Sequence, residues 1–473
     1  MSVQSRAQTR CNWLPEITRH SGPVYLALVE EIARSVANGT LSVGERLPPQ
    51  RLLADALGVT VGTVTRSYRE AERRGLVEAK VGSGTRVKGN QADIPSFSHL
   101  SRASADSIDL SLSIPIPHLN RQQQFSAVLQ RLANQPSSLD AALLYQAEQG
   151  HPEHRQRLAL WLASQGVEVD WQELVFTEGG QHADYLAMQA LVKPGEAVAS
   201  AALTYPGMIA VARQLSLKHV PISTDAQGIR PDALDRACQR QRIRMLYVMP
   251  EFNNPTGERM SDDRRRAIVE VARRHDILII EDAVQWVPAS ERGQPFFHLA
   301  PERSLFIFSV SKLLAGGLRF GVLRVPPALM GKVMTGLRAQ CWATAGLVSD
   351  AAIEWLTSGI GDPLIEWQNE EVTIRHEILT QHLSGHQLTY HPHGFHSWLA
   401  LPEPWRAKEF VEAAANVGVT IIDSEPFCVG SQPAPQAVRI CVTPPTDREH
   451  IRIAAQRLAK LLDEGPSHNA VPI

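Results

Sequence analysis

A lysine set between serines and followed by an arginine is the part of this sequence best suited to chemistry. The stretch "FSVSKLLAGGLRFG", residues 308–321, places Ser309, Ser311, Lys312 and Arg319 directly after an apolar run. A lysine amine can form a Schiff base with an aldehyde, and hydroxyl and guanidinium groups bind phosphate. A lone lysine at the end of a strand is more often a solvated surface residue. The stretch therefore indicates a function only if the fold places other suitable residues beside Lys312.

Further polar residues follow other apolar runs. Gly180 and Gln181 lie in "TEGGQ" after "LVF", Asn254 lies in "EFNNPTG" after "LYVMP", and Glu281 and Asp282 follow "ILII". Glycines at the start of a helix leave backbone N–H groups unpaired, and such groups bind anions. These stretches offer an anion cradle, an amide and a pair of carboxylates.

The apolar runs indicate how these residues meet. "ELVFTEGG", "RMLYVMP", "DILIIED", "SLFIFSVSK" and "FGVLRVP" alternate with helical stretches. Short continuous apolar runs predict strands buried on both faces of a mostly parallel sheet. Ligands of such sheets bind at the carboxyl ends of the strands, which is where the polar residues stand.

The combined set matches the needs of pyridoxal 5'-phosphate. The aldehyde of this cofactor requires an amine, its phosphate requires a cradle and a cation, and its ring nitrogen requires a carboxylate. Lys312, Gly180, Arg319 and Asp282 supply these groups. The sequence therefore predicts pyridoxal 5'-phosphate as the cofactor.

Length and composition set the frame. A chain of 473 residues is longer than a single hydrophobic core usually organises. A content of 44% hydrophobic and 20% charged residues is ordinary for a soluble protein. No run reaches the roughly 18 apolar residues of a membrane span. The five cysteines form no CxxC pair, which favours a reducing cytoplasm and argues against a structural zinc site. We predict a head (1–89), a linker (90–108), a large domain (109–329), a small subdomain (330–465) and a tail (466–473).

The head carries the features of a DNA-binding module. Residues 1–89 hold 13 Lys and Arg against 8 Asp and Glu, which leaves 34 against 41 for the rest of the chain. An apolar stripe at Val24, Leu28, Ile32 and Val36 predicts a first helix, and "LPPQRLLADALG" predicts a second that Gly58 closes. A third helix is expected over 61–74. The alternation in "GLVEAKVGSGTRV" predicts a hairpin, and the whole a winged helix-turn-helix.

"GERLPPQRLLADALGVTVGTVTRSYREAERRGLV" with "GSGTRV" resembles the DNA-binding domain of GntR-type bacterial regulators. The resemblance implies that the third helix enters the major groove of an operator and that the wing touches the minor groove. A packing or dimerisation module is the alternative interpretation of these helices. The residues expected at the DNA are Arg46, Gln50, Arg51, Gly62, Thr63, Thr65, Arg66 and Gly84.

"NNPTG", "SVSK...LRFG" and "VRICV" resemble the fold-type I aminotransferases across residues 109–465. Together with the head, the chain resembles a MocR-type regulator of the GntR superfamily. The resemblance implies an α/β fold: a winged helix-turn-helix followed by an aminotransferase-like domain with a mostly parallel sheet, flanking helices and a smaller C-terminal α+β subdomain. It also implies a homodimer.

The same resemblance implies a role for each site residue. Lys312 forms the Schiff base with the cofactor, Asp282 pairs with its pyridinium nitrogen, and Asn254 bonds its phenolic oxygen. Arg439 grips an effector carboxylate, or else forms a salt bridge within a strand. The phosphate is held by Gly180, Gln181, Ser309, Ser311 and Arg319.

Two tyrosines complete the expected site. Tyr205, in "LTYPG", stacks on the cofactor ring, and Tyr145 reaches the phosphate of the neighbouring subunit. Both could instead be ordinary core aromatics.

One departure from the aminotransferase pattern bears on function. Relatives place a tyrosine two or three positions after the aspartate, whereas "EDAVQWV" offers Val284 and Gln285. The loss of this tyrosine is expected to blunt transamination without preventing cofactor binding. We therefore expect a cytoplasmic regulator that senses pyridoxal 5'-phosphate or an amine or amino-acid effector. A working aminotransferase with an appended head, or a scaffold without cofactor, are the alternatives.

Overall fold

The computed structural model describes residues 12–15, 23–37, 39–42, 44–74, 76–80, 84–88, 107–135, 140, 142–430 and 433–466. The chain divides into two compact units. The first comprises residues 1–95 with Ser424–Gln436, and the second comprises Ser96–Asp423 with Ala437–Ile473. Among the helices of the described ranges, none is both long enough and apolar enough to span a lipid bilayer.

The first unit contains the expected helices and part of the expected hairpin. Its elements are α1 (Val24–Ala37), α2 (Gln50–Leu57), α3 (Val61–Arg73), β1 (Val77–Lys80) and β2 (Gly84–Val87). β1 and β2 pair antiparallel. Gly82 and Ser83 of the predicted wing tip, and linker residues 90–106, lie outside the described residues.

Local sequence explains the turn between α2 and α3. Gly58 ends α2 in the left-handed conformation with φ 66°, which glycine adopts without a steric penalty. Thr60 then begins α3, because its side chain accepts a hydrogen bond from the Thr63 amide at 3.1 Å. The apolar faces of the helices meet in one core that includes Leu28, Leu53 and Val64.

The second unit alternates strands and helices. Its helices are α4 (Leu119–Ala133), α5 (Pro152–Ser164), α6 (Gly180–Leu191), α7 (Pro206–Gln214), α8 (Pro231–Arg240), α9 (Asp262–Arg274), α10 (Phe296–Leu299), α11 (Pro327–Gln340), α12 (Gly346–Thr357), α13 (Asp362–His382), α14 (Ala407–Asn416) and α15 (Arg448–Glu464). Its strands are β3 (Ile108–Asp109), β4 (Leu174–Thr177), β5 (Ala197–Ala201), β6 (Lys218–Ile222), β7 (Thr224–Asp225), β8 (Gly228–Ile229), β9 (Ile243–Val248), β10 (Leu278–Asp282), β11 (Ser304–Ser309), β12 (Gly321–Arg324), β13 (Leu388–Tyr390), β14 (His396–Ala400), β15 (Val419–Thr420), β16 (Ile422–Asp423) and β17 (Ala437–Cys441).

A seven-stranded sheet forms the centre of this unit, with the strand order β4-β12-β11-β10-β9-β5-β6. Strands β11, β10, β9, β5 and β6 run parallel, whereas β12 is antiparallel to both of its neighbours. The prediction of a mostly parallel sheet is confirmed. The five apolar runs form β4, β9, β10, β11 and β12, and buried clusters cover both faces of the sheet. The carboxyl ends of β9, β10 and β11 therefore lie side by side.

A smaller sheet lies in the C-terminal part, with the order β13-β14-β17-β16. The expected strands in "GFHSWLALPE" and "AVRICVT" are its β14 and β17, and the expected closing helix is α15. Ile108 and Asp109 pair in parallel with Val419 and Thr420. Ile108 of the predicted linker and Asp109 of the predicted large domain thus pair with a strand of the predicted small subdomain, and Ile108 packs in the same buried cluster as Val419.

Candidate functional site

Lys312 follows β11 and lies in a partly buried position. Its Nζ donates a hydrogen bond to the Ser113 carbonyl oxygen. Burial lowers the pKa of Lys312 to about 8, and the positive charges of Arg439 and Arg319 act in the same direction while Asp282 opposes them. A lysine with such a pKa has a much larger neutral, nucleophilic fraction at neutral pH than an exposed one.

Asp282 ends the neighbouring strand β10 and is 6% exposed. Its Oδ2 accepts a hydrogen bond from the Tyr247 hydroxyl at 2.5 Å, and its Oδ1 accepts one from the Val284 amide at 2.9 Å. Burial raises the pKa of Asp282, although both hydrogen bonds and the charge of Lys312 oppose the rise. The carboxylate is thus rigidly held close to the lysine amine.

Arg319 and Ser311 form a polar cluster with the start of α6. The Arg319 guanidinium donates to the Glu178 carbonyl at 3.3 Å and to Ser311 Oγ at 3.5 Å. Ser309 Oγ donates to the Phe320 carbonyl at 2.8 Å and is hydrogen-bonded to Ser311 Oγ at 2.9 Å. Ser309 therefore orients Ser311, and Ser311 and Arg319 remain the groups suited to an anion.

Glycines allow the close approach that this cluster requires. A Cβ at Gly179, where φ is +83°, would lie 2.5 Å from Arg319 Nη2. A Cβ at Gly321 would lie 2.6 Å from the carbonyl carbon of Gly179. Gly180 opens α6, and Gln181 donates from its side chain to the Gly207 carbonyl at 3.0 Å. The first turn of α6 thereby presents its unpaired amides beside a guanidinium.

Arg439 and Asn254 contact each other directly. Arg439 Nη1 donates to Asn254 Oδ1 at 3.0 Å, and Nη2 donates to the Ser111 carbonyl at 2.6 Å. Arg439 lies on β17 and is 6% exposed. The structure therefore brings the expected effector ligand and the expected cofactor ligand to one place.

The two tyrosines differ in their surroundings. Tyr205 is partly buried. Burial raises its pKa, and the negative charges of Asp184 and Asp282 raise it further, which is consistent with a position near Asp282, the expected ligand of the ring nitrogen. Tyr145 is 95% exposed. Its expected contact with a neighbouring subunit stays a prediction.

Sequence reasoning missed several residues of this site. Ser111 and Ser113 reach Arg439 and Lys312 through backbone carbonyls, which carry no side-chain signal. The sequence pattern predicts only a strand around Tyr247 and only a helix around Asp184. Gln285 belongs to the stretch that departs from the aminotransferase pattern, and its Nε2 donates to Ser113 Oγ at 3.4 Å. Tyr247 is the one residue with a polar group at the end of an otherwise apolar stretch of β9, next to the last residue of the strand, and this is the signal that could have identified it.

The residues present fit pyridoxal 5'-phosphate. A partly buried lysine of lowered pKa, a buried carboxylate and a cradle of glycine amides with an arginine converge at one edge of the sheet. The space that a Cβ at Gly179 would fill is the space beside the Arg319 guanidinium. This donor set serves an aldehyde, a pyridinium and a phosphate together.

The first unit presents a separate candidate site. Arg46, Arg51 and Arg66 are exposed, and the Arg66 guanidinium lies 4.4 Å from the centroid of the Tyr25 ring. Thr65 Oγ1 donates to Gln50 Oε1 at 2.6 Å and so joins α2 to α3. Gly62 is exposed on the first turn of α3. In the same turn the hydroxyl of Thr63 is hydrogen-bonded to the hydroxyl of Thr60, the residue that caps the helix.

The wing lies beside one of these arginines. The backbone of Arg46 forms an isolated antiparallel β-bridge with Arg86 of β2. A Cβ at Gly84 would lie 2.6 Å from Arg46 Nε. The described DNA-site candidates therefore belong to α2, α3, the wing and, for Arg46, the segment that precedes α2.

Two family profiles match the chain. "Aminotransferase class I and II" matches residues 107–458, and "Bacterial regulatory proteins, gntR family" matches residues 24–87. The first match covers most of the chain, and the second coincides with α1 to β2.

Individual relatives agree with these matches. The chain is 29% identical over 466 residues to the uncharacterized HTH-type transcriptional regulator YdeF of Bacillus subtilis (strain 168), with 98% of this chain and 100% of that protein covered. It is 27% identical over 435 residues to the vitamin B6 salvage pathway transcriptional repressor PtsJ of Salmonella typhimurium (strain LT2), with 90% and 96% covered.

A solved structure gives the same result for the second unit. The crystal structure of an archaeal alanine:glyoxylate aminotransferase matches with a TM-score of 0.69 and 25% identity, covering 78% of this chain and 93% of that one. The chain belongs to the aminotransferase class I and II family and, because it also carries a gntR-family domain, to the MocR-type HTH transcriptional regulators.

Proposed function

We propose that this protein is a DNA-binding transcriptional regulator that holds pyridoxal 5'-phosphate on Lys312. The head binds a double-stranded operator in the cytoplasm, and the aminotransferase-like unit responds to the cofactor itself or to an amine or amino-acid effector. When bound, the cofactor supplies an aldehyde that reacts with amines and a ring that withdraws electrons.

The observation that carries this proposal is the convergence of Lys312, Asp282 and Arg319 at the ends of adjacent strands. Lys312 offers an amine of lowered pKa, Asp282 offers a carboxylate for a ring nitrogen, and Arg319 with the first turn of α6 offers an anion site. The resemblance to a repressor named for vitamin B6 salvage points to the same cofactor.

Arg439 supports an effector with a carboxylate. Its guanidinium is buried, and it donates to the neutral Asn254 amide oxygen and to the Ser111 backbone carbonyl. A carboxylate bound in two-point fashion would replace these weaker acceptors. The residues around Asn254 would then report effector binding to the cofactor site.

Covalent trapping tests the cofactor assignment. Borohydride treatment of the protein mixed with pyridoxal 5'-phosphate should leave a stable adduct on Lys312, which peptide mass spectrometry detects. Lys312→Ala should carry no adduct, whereas Lys218→Ala, which removes an exposed lysine of β6, should keep it. An adduct absent from the wild type would refute the proposal.

Operator binding tests the regulatory half. Gel-shift titration of an operator fragment should give different apparent affinities for the cofactor-free protein, the cofactor-bound protein and the protein with effector, because a ligand shifts an equilibrium only by its differential affinity for the two states. Identical affinities in all three samples would remove the sensing role.

A working aminotransferase is the second candidate, and the intact set of Lys312, Asn254 and Arg439 favours it. Val284 and Gln285 stand two and three positions after Asp282, where relatives place a tyrosine, and neither offers a phenolic hydroxyl. We therefore expect amino acids to convert the bound cofactor slowly, with little steady-state release of keto acid. Multiple turnovers in a coupled assay would establish the enzyme instead.

A further inference from the structure

Helix α6 carries a buried carboxyl group that the proposed function does not use. Asp184 is the fifth residue of α6 and is 1% exposed. Neither of its carboxyl oxygens has a hydrogen-bond partner among the described residues. An ionised carboxylate without such partners is costly to bury, because it loses its hydration without compensation.

The helix places Asp184 next to the ring-nitrogen ligand. Gly180 lies one turn earlier on the same face of α6, and a Cβ there would be 2.6 Å from Val284 Cγ2. The Val284 amide donates to Asp282 Oδ1 at 2.9 Å. Burial raises the pKa of Asp184, and the negative charge of Asp282 raises it further, which is consistent with this proximity.

The groups that face Asp184 come from three elements. Asp282 ends β10, Tyr247 lies on β9, and Tyr205 precedes α7. Burial raises the pKa of each tyrosine, so both phenols stay neutral. Among the described residues, no arginine or lysine forms an ion pair with Asp184.

Hydrogen bonds decide which carboxyl group keeps a proton. Asp282 accepts bonds from Tyr247 and Val284 and lies near Lys312, and all three favour its ionised form. Asp184 has no such support. Two neighbouring buried carboxyl groups cannot both ionise cheaply, so the proton stays on the less supported one.

We propose that Asp184 is a positioning residue that keeps one proton beside Asp282, so that the pair presents a single negative charge to the ring nitrogen of a bound cofactor. The inference rests on the proposed function for its purpose, although the protonated state of Asp184 exists without the cofactor. Through Asp282, this state sets the charge that the ring nitrogen meets.

Infrared spectroscopy of the cofactor-free protein tests the protonated state. At neutral pH, wild type carrying carbon-13 at the aspartate carboxyl carbon should show the isotope-shifted carbonyl stretch of a buried protonated carboxyl group. The label separates this band from that of buried Glu281, whose pKa burial raises to about 7. Asp184→Asn, which keeps the shape and removes the proton, should lose that band. Asp282→Asn should retain it, because Asp184 stays buried without partners. A wild type lacking the band, or an Asp184→Asn variant that keeps it, would overturn the proposal.

A measurement on the wild type alone covers the case of a variant that fails to fold. Protein labelled with carbon-13 at the aspartate carboxyl carbon should show one protonated carboxyl signal that does not titrate between mildly acidic and mildly alkaline buffer. If every carboxyl signal is that of an ionised group at neutral pH, the proposal is wrong.

A third readout separates this inference from the proposed function. In cofactor-bound protein, Asp184→Asn should leave the pH midpoint of the cofactor's absorption band within about 0.3 unit of the wild type, because both side chains are neutral. Removal of a real charge at this depth would move the midpoint by about one unit or more. A wild type that binds no cofactor refutes the proposed function but leaves the infrared result standing.

Discussion

The amine of Lys312 lies where burial and nearby cations favour its neutral form. Burial lowers its pKa to about 8, while the carboxylate of Asp282 holds it from falling further. At neutral pH about a tenth of such an amine is unprotonated, compared with less than about a thousandth for a lysine of ordinary pKa. A larger fraction of the Lys312 amine is therefore available as a nucleophile at neutral pH.

The pH dependence of cofactor uptake follows from this pKa. Only the neutral amine attacks the aldehyde, so the rate of uptake should rise with pH up to about 8 and then level off. Stopped-flow absorbance after mixing cofactor-free protein with pyridoxal 5'-phosphate measures it. A rate that continues to rise toward about pH 10 would show that Lys312 titrates like an exposed lysine.

The loop that begins α6 shows how one glycine serves the cofactor site. Gly179→Ala introduces a Cβ 2.5 Å from Arg319 Nη2 at a positive φ. The displaced guanidinium should lose a charge-assisted contact with the phosphate, and the dissociation constant for pyridoxal 5'-phosphate should rise about tenfold or more. Fluorescence titration measures this change.

Gly195 provides a matched control for that variant. It has the same φ of +83° as Gly179, but a Cβ there meets nothing within 4 Å. Gly195→Ala should cost stability through backbone strain of about 1 kcal/mol and leave cofactor affinity unchanged. Equal loss of affinity in both variants would mean that strain, rather than the contact with Arg319, is responsible.

The cap of α3 connects local structure to DNA binding. Thr60 accepts from the Thr63 amide at 3.1 Å and its hydroxyl lies 2.9 Å from Thr63 Oγ1. Thr60→Ala should destabilise the head by about 1 kcal/mol and weaken operator binding, because the first turn of the recognition helix frays. Thermal unfolding and gel-shift titration measure the two effects.

Ser261 caps α9 in the other unit and serves as the comparison. Its hydroxyl accepts from the Arg264 amide at 3.3 Å. Ser261→Ala should reduce the stability of the aminotransferase-like unit by a similar amount and leave operator affinity as it is. If Thr60→Ala binds operator like the wild type, α3 does not carry the recognition surface.

An exposed apolar stretch bears on the assembly of the whole molecule. Leu143, Leu144 and Tyr145 are 87%, 71% and 95% exposed. Adjacent large apolar side chains at this exposure are typical of an interaction surface, and we expect a second copy of the chain to cover it, as the predicted role of Tyr145 implies.

Sedimentation tests this assembly. The wild type should sediment as a dimer, and the double variant Leu143→Asp with Leu144→Asp should shift toward monomer, because buried charges oppose association. Lys218→Asp, an exposed change on β6, should leave the dimer intact. A monomeric wild type, or a double variant that remains dimeric, would assign this surface to another role.

Local pattern predicted many of the elements, although it did not predict β5 and β6 of the central sheet. The stripe from Val24 to Val36, the stop at Gly58 and the apolar runs of the sheet each specify their element through spacing, and the structure has them as α1, the end of α2 and β4, β9, β10, β11 and β12. The order of strand and helix also fixed the edge at which polar residues collect, because parallel strands end on the same side.

Tertiary structure alone decided which distant residues meet. Ser113 and Lys312 are 199 positions apart, and Asn254 and Arg439 are 185 apart, yet each pair is hydrogen-bonded. The pairing of Ile108 with Val419 and the burial of Asp184 beside Asp282 likewise depend on packing. Spacing along a chain encodes the direction of a side chain within its own helix or strand, but partners, burial and pKa arise only when separate elements pack together.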